Sequence, residues 1–149
     1  MKIFFALLFI LNTSLVMAAG LDGQWRGWGT WTYEGSGTPC NMDLSFSITK
    51  DSFARKSGYF DCTVVGLDLT PATFVKKGED LYDGDELVGK LTDTSLELTE
   101  YYDEDVTVKT TIQVDGHHFD YREVWTGSDG GQIYLITGRM FLRNGFSGQ

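Results

Sequence analysis

After its first nineteen residues, the sequence contains no hydrophobic run close to the roughly 20 apolar residues that a membrane-spanning helix needs. Residues 1–19 combine one lysine, an apolar run over residues 3–10, and small side chains at Ala18 and Ala19. This pattern predicts a cleavable export signal peptide rather than a membrane anchor. No cysteine follows the leader closely, which argues against a bacterial lipoprotein. We expect a mature chain that begins near residue 20 and is exported to the periplasm or the extracellular space.

An excess of basic residues is also missing. The chain has 12 lysines and arginines against 21 aspartates and glutamates, for a formal net charge of −9. Cleavage of the leader removes Lys2 and no acidic residue, which leaves 11 basic against 21 acidic residues and a net charge of −10. Such a surface repels phosphate backbones and anionic lipids. Nucleic acid is therefore not expected as a partner, and association with a membrane is not expected either.

Helical periodicity, linkers and internal repeats do not occur in the mature region. Apolar and polar residues instead alternate with a period of two, between turns rich in glycine, aspartate, asparagine and threonine. The pattern predicts an all-β protein, an eight- to ten-stranded antiparallel up-and-down meander barrel. We assign residues 20–143 to this single domain and residues 144–149 to a polar C-terminal tail.

Turn residues predict how the strands pair. The dipeptide Asp115-Gly116 is typical of a two-residue hairpin turn. This turn places Val114 opposite His117 and Ile112 opposite Phe119. Turns elsewhere predict further pairs: Trp125 with Tyr134, Glu123 with Ile136, and Leu91 with Leu96. In each hairpin the apolar side chains then share one face.

The two cysteines fit the same scheme. A hairpin centred near Asp51 places Cys40 directly opposite Cys62, within disulfide reach. An exported protein meets an oxidising compartment in which such a pair forms. The chain-entropy model assigns about 3 kcal/mol to closing a loop of this length. We predict one disulfide, no free thiol and no cofactor.

The segment Gly23–Trp31 places three tryptophans at a spacing of three. A helix would gather them on one side, but each of its three glycines would cost about 1 kcal/mol relative to alanine. A strand is therefore favoured. In a strand, Trp25 and Trp31 share a face with Tyr33, whereas Trp28 points to the opposite face.

The motif Gly23-Gln24-Trp25 on a first strand, followed by a meander of hairpins and a last strand with Arg139 and Arg143, resembles the calycin superfamily of lipocalin-like and avidin-like barrels. The resemblance implies that Trp25 packs under the barrel floor and that Arg139 or Arg143 lies across it. It covers most of the mature chain and implies an architecture without naming a ligand.

A candidate ligand site lies on the inward face, where a carboxylate stands among aromatic residues. An inward carboxylate is costly unless it is paired or hydrogen-bonded, so Glu123 could anchor an amine or hydroxyl of a ligand. The alternative is a filled core in which Glu123 bonds to a tyrosine hydroxyl. The predicted site for a small apolar or aromatic molecule consists of Trp31, Tyr33, Tyr121, Glu123 and Trp125.

The outward face carries apolar residues as well. Trp28, Val124, Ile133, Leu135 and Phe141 interrupt an otherwise polar exterior. An exposed apolar strip is typical of an interaction surface. An alternative function is therefore a protein-binding or inhibitory module that contacts another exported protein through Trp28 and Phe141.

A further alternative is a small outer-membrane barrel. Strands of about ten residues would permit it, with the apolar face toward lipid and the polar face inward. Two acidic residues, Glu100 and Glu123, would then lie on the lipid face, which argues against this arrangement.

Catalytic and metal sites are not predicted. The acidic segments at residues 79–86 and 103–105 do not have the EF-hand spacing and fit solvated turns. His117 and His118 are adjacent on a strand and point to opposite faces, so they cannot easily share a metal. His118 does share a face with Asp120, but no Gly-x-Ser-x-Gly elbow supplies a nucleophile. We predict that the protein is not an enzyme.

Overall fold

The computed structural model describes residues 20–143, which form eleven β-strands and no helix. The strands are β1 (Gly23–Tyr33), β2 (Ser36–Ile48), β3 (Ser52–Cys62), β4 (Val65–Asp68), β5 (Ala72–Lys77), β6 (Asp80–Asp83), β7 (Glu86–Leu91), β8 (Ser95–Tyr101), β9 (Val106–Asp115), β10 (His118–Gly127) and β11 (Gln132–Leu142). The predicted signal peptide (1–19) and tail (144–149) lie outside the described residues. Within 20–143, no helix is long and apolar enough to cross a membrane.

All strands belong to one antiparallel sheet that closes on itself. Its order is β2-β1-β11-β10-β9-β8-β7-β6-β5-β3-β4, and a further pairing of β2 with β3 completes the barrel. The short strand β4 and the strand β5 pair with the two halves of β3 in one register, since Tyr59 lies opposite Asp68 and Arg55 opposite Ala72. They therefore act as one strand interrupted at residues 69–71. The predicted all-β meander barrel is confirmed, with ten strand positions.

Most of the predicted strand pairs are confirmed. These are Trp125 with Tyr134, Glu123 with Ile136, Leu91 with Leu96, and Cys40 with Cys62. The last pair carries the predicted disulfide, and no free cysteine occurs among residues 20–143. Turn residues and alternation were therefore sufficient to fix these registers.

In the β9–β10 hairpin the predicted register is wrong by two residues. The turn consists of Gly116 and His117, with Gly116 at a φ of 61°. Phe119 therefore lies opposite Val114, whereas the sequence predicted Ile112 at that position. Because side chains alternate with a period of two, this shift leaves every residue on its predicted face.

The three tryptophans of β1 are distributed between the faces as predicted. Trp25 is fully buried, Trp31 is half-buried, and Trp28 is 64% exposed. Trp25 lies near the beginning of β1, at what we call the closed end of the barrel. There its ring contacts Phe119 at a centroid distance of 4.7 Å. Phe46 and Phe53 continue this aromatic packing at 5.5 Å.

The arginine expected to cover Trp25 lies elsewhere. Met140 is fully buried, so alternation along β11 turns Arg139 to the outer face. Arg139 there donates from Nε to Asp120 at 2.7 Å. Arg139 therefore does not pack on Trp25, and Arg143, the other arginine that the resemblance implied, is exposed. The indole N–H of Trp25 instead donates to the carbonyl of the buried Leu21 at 2.9 Å.

The apolar face of the sheet is turned inward. Phe119 is fully buried, Tyr121 is 3% exposed, and Ile136 is 1% exposed. The outer-membrane alternative requires these side chains on the outer surface. In the structure these side chains lie inside the barrel, where they pack against one another.

Candidate functional site

The interior is filled at the closed end but not at the opposite, open end, where β1 and β3 end. A cavity of about 480 Å³ lies there. Its apolar wall includes Phe60, Leu67, Val108 and Ile136. The interrupted strand at residues 69–71 forms one side of it. The interior therefore holds both a packed core and a ligand-sized space.

An ion pair crosses the barrel beside this cavity. Arg55 of β3 donates from its two terminal nitrogens to both carboxylate oxygens of Glu100 on β8, at 2.8 and 2.9 Å. Its Nε donates to the carbonyl of Thr70 at 2.9 Å, so the break before Pro71 does not leave that carbonyl unpaired. Such bidentate, charge-assisted contacts fix the geometry of both partners.

The ion pair is largely shielded from water. The side chains of Arg55 and Glu100 are only 11% and 24% exposed. Burial by itself lowers the pKa of Arg55, but the hydrogen bonds and charge of Glu100 outweigh it and raise that pKa overall. Arg55 therefore stays charged and is committed to Glu100.

The second carboxylate, Glu123, is more deeply buried, with 4% exposure, and it lines the cavity. Its Oε2 accepts a hydrogen bond from the Tyr121 hydroxyl, and its Oε1 accepts one from the Trp125 indole N–H at 2.5 Å. Burial raises the pKa of Glu123, although both hydrogen bonds and the charge of Arg55 oppose that shift. Burial also raises the pKa of Tyr121 well above its ordinary range.

Three aromatic residues that line the cavity pack against one another, and we call Tyr102, Trp125 and Tyr134 the aromatic trio. Trp125 is the central member, with ring centroids 5.0 Å from Tyr102 and 4.8 Å from Tyr134. The hydrogen bond to Glu123 holds the Trp125 ring in place. Tyr102 is 69% exposed and forms the outer edge of the trio.

The structure separates the five predicted ligand-site residues. Glu123 and Trp125 line the cavity. Tyr121 lies behind Glu123, where its ring packs edge-on against Phe60 at 5.5 Å. Trp31 and Tyr33 stack on each other at 5.8 Å and adjoin the trio through Tyr134, but neither lines the cavity. The Trp31 indole N–H is buried and has no hydrogen-bond partner.

Glu123 therefore bonds to a tyrosine hydroxyl, as in a filled core, and it also borders a cavity, while its role as a ligand anchor stays a prediction. Arg55 was not identified from the sequence. A signal was present, since Arg55 follows the buried Phe53 by two residues and so shares its face. Tyr102 could not have been found in this way because it lies in the turn after β8.

The outer apolar residues also form a local contact. Trp28 and Phe141 stack at 5.3 Å with an interplanar angle of 29°, and Phe141 is 38% exposed. His118 lies 6.0 Å from the Phe141 ring. The protein-binding role of this stacked pair stays a prediction.

His117 lies in the β9–β10 turn, and His118 begins β10. The Nε2 atom of His118 lies 3.8 Å from an Asp115 carboxylate oxygen. Across the same residues, no three histidine, cysteine, aspartate or glutamate side chains are grouped so that they could hold a metal ion.

Glu123 should make stability depend on pH. Because its pKa is raised by folding, the folded state holds the proton more tightly than the unfolded state. This contribution is fully present below the ordinary value of 4.5 and is lost as the pH rises through the folded-state pKa. We expect the free energy of unfolding of the wild type, minus that of Glu123→Gln, to fall as the pH rises above about 4.5.

Urea denaturation of both proteins over a pH series measures this difference. The groups near Glu123 are the same in both proteins, namely Arg55, Glu100, Tyr134 and the neutral Tyr121. Their contributions to the free energy of unfolding therefore largely cancel in the comparison. A difference that is constant, or that grows with pH, would contradict a Glu123 that is costly to ionise.

The fold and this cavity define a class, an all-β barrel of the calycin-like type. No protein-family model matches the sequence, and no curated protein matches it. Solved structures do resemble it. A DUF3598-family protein of unknown function from Nostoc punctiforme matches with a TM-score of 0.57 and 12% identity, over 82% of this chain and 47% of that one. This chain therefore spans about half the length of that protein.

Two further structures match over most of their own length. Rv2717c from Mycobacterium tuberculosis has a TM-score of 0.58 and 14% identity, over 83% of this chain and 93% of that one. The S-type phycobiliprotein lyase CPES from Guillardia theta has a TM-score of 0.54 and 11% identity, over 83% and 88%. At identities of 11% to 14%, the likeness to these structures shows a shared fold and nothing more.

Proposed function

We propose that this chain is an exported binding protein that holds one small, mainly aromatic molecule in the cavity at the open end of the barrel. The observation that carries the proposal is a space of about 480 Å³ bordered by the buried carboxylate of Glu123. Ligand cavities typically measure about 300–1,000 Å³ and combine apolar walls with a few placed polar groups. Protein interiors are otherwise close-packed, with few voids larger than a water molecule.

The wall of the cavity suggests how the molecule is oriented. Phe60, Ile136 and Trp125 provide apolar surface for a flat ring. The Glu123 carboxylate has roughly four acceptor positions, of which Tyr121 and Trp125 occupy two. The remaining positions can accept a hydrogen bond from a ligand hydroxyl or amine, which fixes the polar end of the ligand inside the barrel.

We favour binding over catalysis for this site. The polar groups at the cavity are an arginine already paired with a glutamate, a hydrogen-bonded glutamate, tyrosines, and the exposed Asp68 and Thr70. One structural neighbour is named a lyase, but at 11% identity that likeness supports the fold alone. Export is supported by the leader pattern of residues 1–19 and by the Cys40–Cys62 disulfide, which fits an oxidising compartment.

Filling the cavity should abolish binding. Leu67 lies on β4 at the cavity wall, so Leu67→Trp introduces a large ring into the space that the ligand would occupy. We expect wild-type protein to bind at least one member of a panel of small aromatic molecules, with a change in tryptophan fluorescence from Trp125. Isothermal titration calorimetry should show no binding of the same molecule to Leu67→Trp.

A matched control is Leu87→Trp, which adds the same ring at a position that is 57% exposed. It should bind as the wild type does. Equal binding by Leu67→Trp and the wild type, or no binding of any panel member by the wild type, would overturn the proposed function.

A further inference from the structure

Acidic residues outnumber basic residues in the lining of the cavity. Its charged lining residues are Arg55, Asp68, Glu100 and Glu123, which gives three acidic residues and one basic residue. Arg55 and Glu100 neutralise each other through their bidentate contact. Glu123 on the inner wall therefore remains as an acidic group in excess over Arg55, whereas Asp68 alternates with the inward Leu67 and is exposed.

Among residues 20–143, the one basic residue of the lining is Arg55, and it is not available to a ligand anion. Both terminal nitrogens of Arg55 donate to Glu100, and its Nε donates to Thr70. A ligand carboxylate or phosphate would have to displace Glu100 from a largely buried ion pair and would also face Glu123. Removing one partner of such a pair leaves an uncompensated buried charge, which is strongly unfavourable. Anionic ligands are thus disfavoured.

The aromatic trio supplies the complementary feature. The negative faces of aromatic rings attract organic cations, including quaternary ammonium groups. Trp125, the strongest such ring type, stands between Tyr102 and Tyr134, and its N–H is bound to Glu123. A carboxylate and electron-rich rings therefore meet at one place, and a cation bound beside Glu123 would favour its ionised form.

From this arrangement we propose that the ligand is an organic cation, a substituted or quaternary ammonium joined to an aromatic or apolar body. The ammonium lies against the aromatic trio within reach of the Glu123 charge, and the apolar body lies against Phe60 and Ile136. This inference rests on the proposed function, because it names the class of molecule that the same cavity accepts.

A pair of probes that differ only in charge tests the inference. (3-Hydroxyphenyl)trimethylammonium and 3-tert-butylphenol have the same shape, with a cationic nitrogen replaced by carbon. Calorimetric titration of the mature wild-type protein with each should show the cation binding at least about tenfold more tightly, as expected for a desolvated cation–π contact.

The outcomes separate the two proposals. Equal binding of both probes, or tighter binding of the phenol, overturns the cation class and leaves the cavity as a ligand site. Failure of both probes, together with silence across the wider aromatic panel, overturns the proposed function as well.

Variants locate the preference within the barrel. Glu123→Gln should bring the ratio of the two affinities close to one, whereas Glu97→Gln, a matched change on the exposed face of β8, should leave it unchanged. Tyr102→Leu keeps apolar surface but removes a ring at an exposed position, so folding is preserved, and it should weaken the cation more than the phenol. A ratio that is unaffected by Tyr102→Leu, and by Glu123→Gln where that variant folds, overturns the inference.

Discussion

Replacing Trp25 by alanine should lower the free energy of unfolding by about 3–5 kcal/mol, the range typical of a large buried aromatic residue. The side chain has no exposed surface and contacts Phe119 at the closed end. Its removal leaves a cavity among rings that cannot collapse easily, because they are attached to different strands of a closed sheet. It also leaves the buried carbonyl of Leu21 without its hydrogen-bond donor.

The matched control is Trp28→Ala, three residues further along the same strand. Trp28 is 64% exposed and contacts mainly Phe141, so the expected loss is below about 1 kcal/mol. Urea denaturation followed by circular dichroism measures both variants. Similar losses for the two would mean that β1 does not divide its tryptophans between the interior and the surface as described.

Replacing Arg55 by methionine should lower the free energy of unfolding by about 3–5 kcal/mol, because it leaves Glu100 as an unpaired, mostly buried carboxylate. The variant also removes the donor that pairs with the Thr70 carbonyl at the strand interruption. It further removes the positive charge that opposes the raised pKa of Glu123. The loss should therefore be greatest at a pH at which Glu123 is ionised.

A double variant distinguishes the ion pair from simple packing. Arg55→Met combined with Glu100→Met replaces both charges by apolar groups of similar size, which often restores or increases stability. We expect the double variant to regain most of the stability that Arg55→Met loses, as measured by urea denaturation in a double-mutant cycle. A double variant that is less stable than Arg55→Met would show that the two side chains do not act as a pair.

These two predictions concern the two ends of one barrel. At the closed end, Trp25, Phe46 and Phe119 fill the space between the strands. At the open end, the same space is crossed by the Arg55–Glu100 pair and is otherwise left to the cavity. Packing at the closed end stabilises the fold, whereas burial of charge at the open end lowers its stability. This division is the expected cost of a polar site inside a small domain.

The barrel itself could be predicted from local information. Alternation of apolar and polar residues gave the inward set, because side chains on a strand point to opposite faces. Turn residues and the two cysteines gave the pairing of neighbouring strands, including Cys40 with Cys62. Even the two-residue error at Gly116 did no harm to the assignment of faces, since a shift of two preserves them.

The candidate site was only partly accessible in the same way. Glu123 and Trp125 lie two residues apart on one strand, so the sequence could place them on one face. The grouping of Trp31 and Tyr33 with them assumed that residues on the same face also share the same height in the barrel. In the structure these two rings lie beside Tyr134, outside the cavity wall.

The sequence by itself determined the strands, their faces, the disulfide and the inward position of Glu123, because each of these depends on alternation or on a turn between neighbouring strands. Only the tertiary structure decided that Arg55 meets Glu100 from a position 45 residues away, that Tyr102 reaches Trp125, and that one end of the interior stays open. Those contacts join strands and turns that are not paired with each other, and they depend on where closure of the sheet places each side chain across the barrel.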